Sequence, residues 1–392
     1  MIKFKPLNIL LLKRLKFPRS LMFVIYGISA IHSISAFLLF LNRTIAPRLE
    51  GDLLLRAQEF SHVVAGLNPT EVSSELGYPM WAYMTASLWF APLGVESASW
   101  IYPVICSFII IALFILLFKS CPNCLNTVQK AMVVAGSMPG FALSEQAKFL
   151  NYGLVVAGGL CLFLFCKSLL PRVFGLVLAM IKPALCVPAI LASFLGKPVD
   201  ASKVLFASSA VIALEVWIVF RFLGVSEPGS ILRIFDRYIP LSGPEDGFFV
   251  SGDYGILNKI VKVGLITEAF AVLLLTAILC AAILYLNSQK NKFKIDPSFI
   301  AVISLGLVPI FAFHRSHDLV LIWPALVFIA AFFIAKKRAS DGYAALVPIF
   351  CLFYRGSGGG MLYLYAFIVL LYVTAYFREH GEDHAKCNQN SL

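Results

Sequence analysis

Apolar residues fall along this chain in long runs separated by short polar clusters, the pattern of helices in lipid rather than of alternating strands. The runs cover residues 21–41, 99–118, 131–143, 152–170, 203–223, 264–286, 298–313, 319–335, 343–354 and 361–377. One further apolar stretch, 172–197, is interrupted at Lys182-Pro183 and again at Pro188. Proline lacks the backbone N–H and its ring clashes with the preceding turn, so this stretch predicts two half-helices that enter and leave on one side. At about 20 residues per crossing the chain has room for about ten to twelve spans, which predicts an all-α polytopic membrane protein.

Two polar-rich connections are long. The first, 42–98, has Leu53, Leu54, Ala57, Phe60, Val63 and Val64 at helical spacing, which predicts a helix lying along the membrane surface from 52 to 65. A second interfacial stretch follows at 80–93, where Trp81, Tyr83 and Trp89 suit the headgroup depth. The other connection, 224–262, is rich in Gly and Pro and reads as a loop over the same face. A basic cytoplasmic tail (1–19), one membrane domain (20–377) and a polar, disordered C-terminal tail (378–392) complete the expected organisation.

Composition narrows the class further. Of 392 residues, 60% are hydrophobic and 14% charged, with 34 Phe, 14 Tyr and 5 Trp. A soluble domain carries about 25% charged residues, so a water-soluble globule is excluded. The net charge of +11 is explained by orientation rather than by nucleic acid. If the N-terminus, with Lys3, Lys5, Lys13, Arg14, Lys16 and Arg19, lies inside, then most Lys and Arg fall on that side, including the clusters at Lys290 to Lys294 and Lys336 to Arg338. Both termini are then cytoplasmic, the two long loops face outward, and the plasma (inner) membrane is the expected location. Most of the nine Cys lie in apolar runs as packing residues. Cys121 and Cys124 form a single C-P-N-C without a second pair, which favours a short loop over a metal site.

Ionisable groups near membrane depth are costly and point to function. They gather on the outer side: Asp52 opens the first interfacial helix; Glu145, Gln146, Lys148 and Asn151 follow the third span; Lys182 sits at the tip of the broken hairpin; His314, Arg315, His317 and Asp318 fill a later outer turn. A carboxylate, histidines and cations opening to the outer leaflet suit an anionic lipid-linked substrate. Asp52 would also serve as an N-cap of its helix.

The segment G-D-L-L-L-R-A-Q-E-F-S-H-V-V-A-G-L-N-P followed by L-G-Y-P resembles the first outer loop of polyprenyl-phosphate-sugar-dependent glycosyltransferases of the GT-C superfamily, and within it glycosyltransferase family 87. Asp52, Gly66, Asn68, Pro69, Tyr78, Pro79, Gln146 and Asn151 carry the resemblance, with the Lys-Pro of G-L-V-L-A-M-I-K-P-A-L and the H-R-S-H-D-L-V-L-I-W-P segment. Thr70 and Glu145 depart from the family pattern, which has an aromatic and a Gly there.

The resemblance implies a GT-C-like bundle whose long first outer loop carries interfacial helices, and a hexosyltransferase, of mannose by analogy. Asp52 would be the general base; Lys182, Arg315 and His317 would hold the donor phosphate; Tyr78, Gln146, Asn151 and His314 would contact substrate. The partners would be a polyprenyl-phosphate sugar donor, a glycolipid or glycan acceptor and the bilayer. The scheme calls for no metal and no cofactor, and the chain has no D-x-D motif. The Gly-rich Gly356 to Gly360 reads as a tight turn between helices rather than a phosphate cradle, because no strand precedes it. The rival readings are a lipid-linked-sugar flippase or secondary transporter, and, more remotely, an O-antigen polymerase or ligase.

Overall fold

The computed structural model describes residues 18–47, 94–194, 198–222, 297–307, 316–335, 341–354 and 359–389, with single helical positions at Leu54, Gln58, Leu274, Ala277, Ala281 and Tyr285. Every regular element among them is helical. In chain order these are α1 (Arg19–Ile45), α2 (Gly94–Ser120), α3 (Thr127–Gly136), α4 (Gly140–Phe149), α5 (Gly153–Phe165), α6 (Leu169–Ala179), α7 (Pro183–Ser193), α8 (Pro198–Phe222) and α9 (Pro297–Gly306). A 3₁₀ segment (Ser316–Ile322) then leads into α10 (Trp323–Ala335), α11 (Asp341–Ala344), α12 (Leu346–Phe353) and α13 (Gly359–Gln389). Four helical stretches among the described residues are long and apolar enough to cross a membrane: Arg19–Ile45, Glu96–Ser120, Pro198–Ile218 and Asp318–Ala335. Shorter apolar helices accompany them at Gly153–Phe165, Leu169–Ala179 and Tyr363–Phe377. The chain is an α-helical membrane protein.

The faces of α1 show lipid acting as the solvent. Met22, Tyr26, Ser29, Ser33, Ala36 and Phe40, spaced three and four apart, are buried, whereas Val24, Ile28, Ile31, Ile34 and Leu38 are exposed. Both faces are largely apolar, and the buried one includes the hydroxyls of Ser29 and Ser33, the reverse of a helix on a water-soluble core. α10 is buried nearly all round and forms the centre of the bundle.

The single span expected at 131–143 is instead two helices, α3 and α4, broken at Ser137, Met138 and Pro139. Pro139 cannot donate to the ladder, and a broken helix in lipid survives only if its freed carbonyls find partners. They do. Trp323 Nε1 donates to Val134 O at 2.9 Å, Ser29 Oγ to Gly136 O at 2.8 Å, Ser33 Oγ to Met138 O at 2.9 Å, and Cys351 Sγ to Ser137 O at 3.4 Å. The same logic corrects the expected helix 343–354, which divides into α11 and α12. Pro348 leaves the carbonyl four residues back without a helical partner, and Tyr26 Oη donates to that Ala344 oxygen at 2.7 Å. Replacing Trp323 by Phe keeps an aromatic ring, a smaller one, but orphans the buried Val134 carbonyl. It is expected to cost about 1–3 kcal/mol, seen as a lowered Tm of the purified protein in detergent.

Three further expectations need adjusting. The run 152–170 ends as a helix at Phe165, and α6 begins at Leu169 with Ser168 before it in extended conformation. The hairpin in 172–197 breaks at Lys182-Pro183 as anticipated, but α7 continues through Pro188 to Ser193; only one ladder bond is lost there, a defect that membrane helices tolerate. The run 361–377 continues as helical backbone at both ends, α13 covering Gly359–Gln389. No proline interrupts 378–389. The interfacial stretches at 52–65 and 80–93 lie outside the described residues apart from Leu54 and Gln58, both helical, and the loop 224–262 lies wholly outside them.

Candidate functional site

Gly159 and Gly175 bring α5 and α6 into backbone contact: a Cβ on either would sit 2.5 Å from the carbonyl oxygen of the other. Small residues at such crossings let membrane helices pack without a hydrophobic driving force. This contact fixes the end of α6, and the chain then turns through Met180, Ile181 and Lys182 into α7, with Lys182 at its N-cap and Pro183 at N1. Opposite, α4 closes on Leu150, a buried residue in the left-handed region (φ 49°) whose N–H returns to Gln146 O at 2.8 Å. Such backbone costs of order 1 kcal/mol in a non-glycine residue and is kept where the surroundings impose it. Its effect here is to set Asn151 ahead of α5, where Asn151 Oδ1 accepts from Gly153 N at 3.0 Å.

These ends meet around one amine. Lys182 Nζ donates to Asn151 Oδ1 at 2.7 Å and to Asp318 Oδ1 at 2.5 Å. The lysine side chain is 13% exposed and the aspartate 5%. Tyr102 of α2 supports the arrangement by donating to Asn151 O at 2.7 Å, with its ring edge-on to Tyr152. Gln146 is fully buried, and a Cβ on Gly153 would overlap Gln146 Nε2 and lie 3.2 Å from Asp318 Oδ1. Gln146, Gly153, Asn151, Lys182 and Asp318 thus form one contiguous polar cluster where α5 and the 3₁₀ segment begin and α4 and α6 end. Helix C-terminal ends carry partial negative charge and favour a cation. A lone lysine at the bilayer centre costs about 2.5–3.5 kcal/mol, and the adjoining carboxylate is what makes this one tolerable.

Next to the cluster lies a cavity of about 580 Å³, walled by α2, α5 and α6. Tyr102, Tyr152 and Ile181, beside Asn151 and Lys182 in the chain, line one part of it, and Leu116, Phe165 and Cys166 line another. From Tyr102 to Leu116 a helix advances about 21 Å, a large part of the ~30 Å hydrocarbon thickness. The cavity has the length and lining for a hydrocarbon chain, and Tyr152 and Ile181 in its wall are the chain neighbours of Asn151 and Lys182.

Of the residues singled out from sequence, Lys182, Gln146 and Asn151 are brought together. Asp52, Tyr78, His314 and Arg315 lie outside the described residues. His317 is placed only in backbone, within the 3₁₀ segment one position before Asp318. Asp318 is the site residue that sequence reasoning passed over: it was counted in the outer turn and given no role. The signal was present, since an acid opening a long apolar run requires a cation, and Lys182 is the membrane-depth cation with no partner of its own in sequence.

Among the described residues no group of three His, Cys, Asp or Glu gathers as metal ligands do. In the C-P-N-C loop Cys121 is buried and Cys124 exposed, and burial pushes the Cys121 thiol up to about 11. Comparison of the chain with family models, with curated proteins and with solved structures finds no match in any of the three.

Gly153→Ala would drive a methyl into Gln146 and against the Asp318 carboxylate. The expected result is a folded protein with the Lys182 contacts displaced and any reaction carried out at this cluster slowed about a hundredfold, since a shift of about 1 Å in a site costs on that scale. A thermal melt together with an activity assay separates this from global unfolding.

Proposed function

We propose that this protein is an integral membrane glycosyltransferase of GT-C type, moving one hexose from a polyprenyl-phosphate donor to a glycolipid or glycan acceptor at the outer face of the membrane. The observation that carries this reading is the buried Lys182 amine, one residue along the chain from Ile181 in the wall of a long apolar cavity: a cation for a lipid phosphate and, beside it, a slot for its chain. The ordered sequence resemblance supports it independently.

In the reaction, the acceptor hydroxyl oxygen attacks the anomeric carbon and its proton passes to the Asp52 carboxylate. The anomeric carbon–phosphate oxygen bond breaks, its electron pair stays on the phosphate, and the configuration inverts. The leaving phosphate gains charge as the bond opens. Fixed cations aimed at that developing charge lower the barrier most where water is scarce. The buried Lys182 amine is the cation for this role, with Arg315 and His317 proposed beside it. Gln146 and Asn151 line the same cluster, and Tyr78 and His314 are proposed to contact the sugar or the acceptor.

A second reading, a flippase or secondary transporter of lipid-linked sugars, draws on the broken helices at Ser137 to Pro139 and at Lys182-Pro183, because transporters place discontinuous helices at their sites. One experiment separates the two: purified protein in nanodiscs is incubated with labelled polyprenyl-phosphate mannose and a membrane lipid extract. Appearance of labelled glycolipid or glycan with release of polyprenyl phosphate supports the enzyme. An intact donor, moved across the bilayer of proteoliposomes without cleavage, overturns it in favour of transport.

A further inference from the structure

The Lys182 ion pair has a consequence for which lipid phosphate the site holds better. It rests on the reading of Lys182 as the phosphate-binding cation. In the structure Lys182 is not an isolated positive charge: two of the three donors of its ammonium go to Asp318 Oδ1 and Asn151 Oδ1, and the aspartate neutralises it. A sugar-bearing donor is a phosphodiester with one negative charge. The product, once the sugar has left, is a phosphate monoester whose second pKa is near 6, so it carries close to two charges at neutral pH.

We infer that Asp318 sets the site against its own product: its buried carboxylate, one contact away from the phosphate position, opposes the monoester dianion more strongly than the phosphodiester monoanion and so speeds product release. Coulomb repulsion scales with the charge on the ligand, so the carboxylate raises the product's free energy about twice as much as the donor's. Lys182 supplies attraction to both. Asp318 and Asn151 limit how much of that attraction each ligand can use, and Asn151 does so without charge. Asp318 is a positioning and selectivity residue here, not a catalytic one.

The test needs no knowledge of the sugar. The probes are farnesyl phosphate, a monoester, and farnesyl methyl phosphate, a diester, titrated at pH 7.5 onto the full-length protein in nanodiscs of neutral lipid, with binding read from ligand-induced shifts in thermal unfolding. Asp318→Asn keeps the shape and removes the charge. It is expected to tighten the monoester about tenfold and the diester about threefold, so the ratio moves towards product. Asn151→Asp adds a charge on the same Lys182 contact and is expected to move the ratio the other way; it carries the test alone should Asp318→Asn fail to fold. At about pH 5 and below, a unit under that second pKa, the monoester is mostly a monoanion too and the effect of either substitution on the ratio should largely vanish, which a merely structural disturbance would not produce.

An unchanged ratio in both variants overturns the inference, as does a Lys182→Met protein that binds both probes like the unsubstituted one. Absence of any sugar transfer alongside the predicted ratio shifts would leave this inference standing and remove the glycosyltransferase reading. Transfer activity with no shift would do the opposite.

Discussion

Replacing Asp52 by asparagine is expected to lower sugar transfer by ~10²- to 10⁴-fold while leaving donor binding within about threefold, because positioned general-base assistance is worth that much and the base takes no part in holding the phosphate. Asparagine keeps the size of the side chain and its ability to accept backbone hydrogen bonds at a helix start, so an N-capping role would survive the change nearly intact. The comparison of Asp52→Asn with Asp52→Ala therefore separates the two roles. A base requires both variants to be inactive. A cap requires asparagine to behave as aspartate does and alanine alone to suffer, in stability more than in rate. The readout is initial rate of transfer against thermal midpoint for each protein.

The second large effect is at Lys182. Lys182→Met removes the amine that donates to the buried Asp318 carboxylate, and breaking a buried pair in this way is expected to cost about 3–5 kcal/mol. The same substitution removes the proposed phosphate contact. The two effects are separable, because Lys182→Met combined with Asp318→Asn removes both charges and restores neutrality. The double variant is expected to recover most of the stability, measured by thermal unfolding in detergent, and none of the transfer. Recovery of transfer along with stability would mean that the pair is only a packing device.

Much of the fold was legible because lipid imposes one rule, that backbone groups must pair internally, and long apolar runs obey it in one way. Residues 21–41, 99–118, 203–223 and 319–335 are found in helices close to the expected limits. Sequence reasoning failed where side chains from distant helices do the pairing. Nothing near Pro139 announces that Ser29, Ser33, Trp323 and Cys351 will cap the carbonyls of a break there, and nothing near Pro348 announces Tyr26. The site divided along the same line. Lys182 was found because an amine in an apolar hairpin is anomalous by itself, and Gln146 and Asn151 because they follow a span on the same expected side. Asp318 was missed because its meaning comes from Lys182, which lies 136 positions away in sequence. The αL turn at Leu150 that delivers Asn151 has no sequence signature, since leucine is among the residues least suited to it.

The measurement that bears most directly on the central claim is an experimental structure of the protein with a polyprenyl phosphate bound in a lipid nanodisc. The account predicts phosphate oxygens within hydrogen-bond distance of Lys182 Nζ, the prenyl chain in the cavity running from Tyr102 to Leu116, and the Asp52 carboxylate facing the phosphate across a gap wide enough for one sugar ring. A phosphate bound away from Lys182, or an Asp52 on the opposite side of the bilayer from it, would contradict the account.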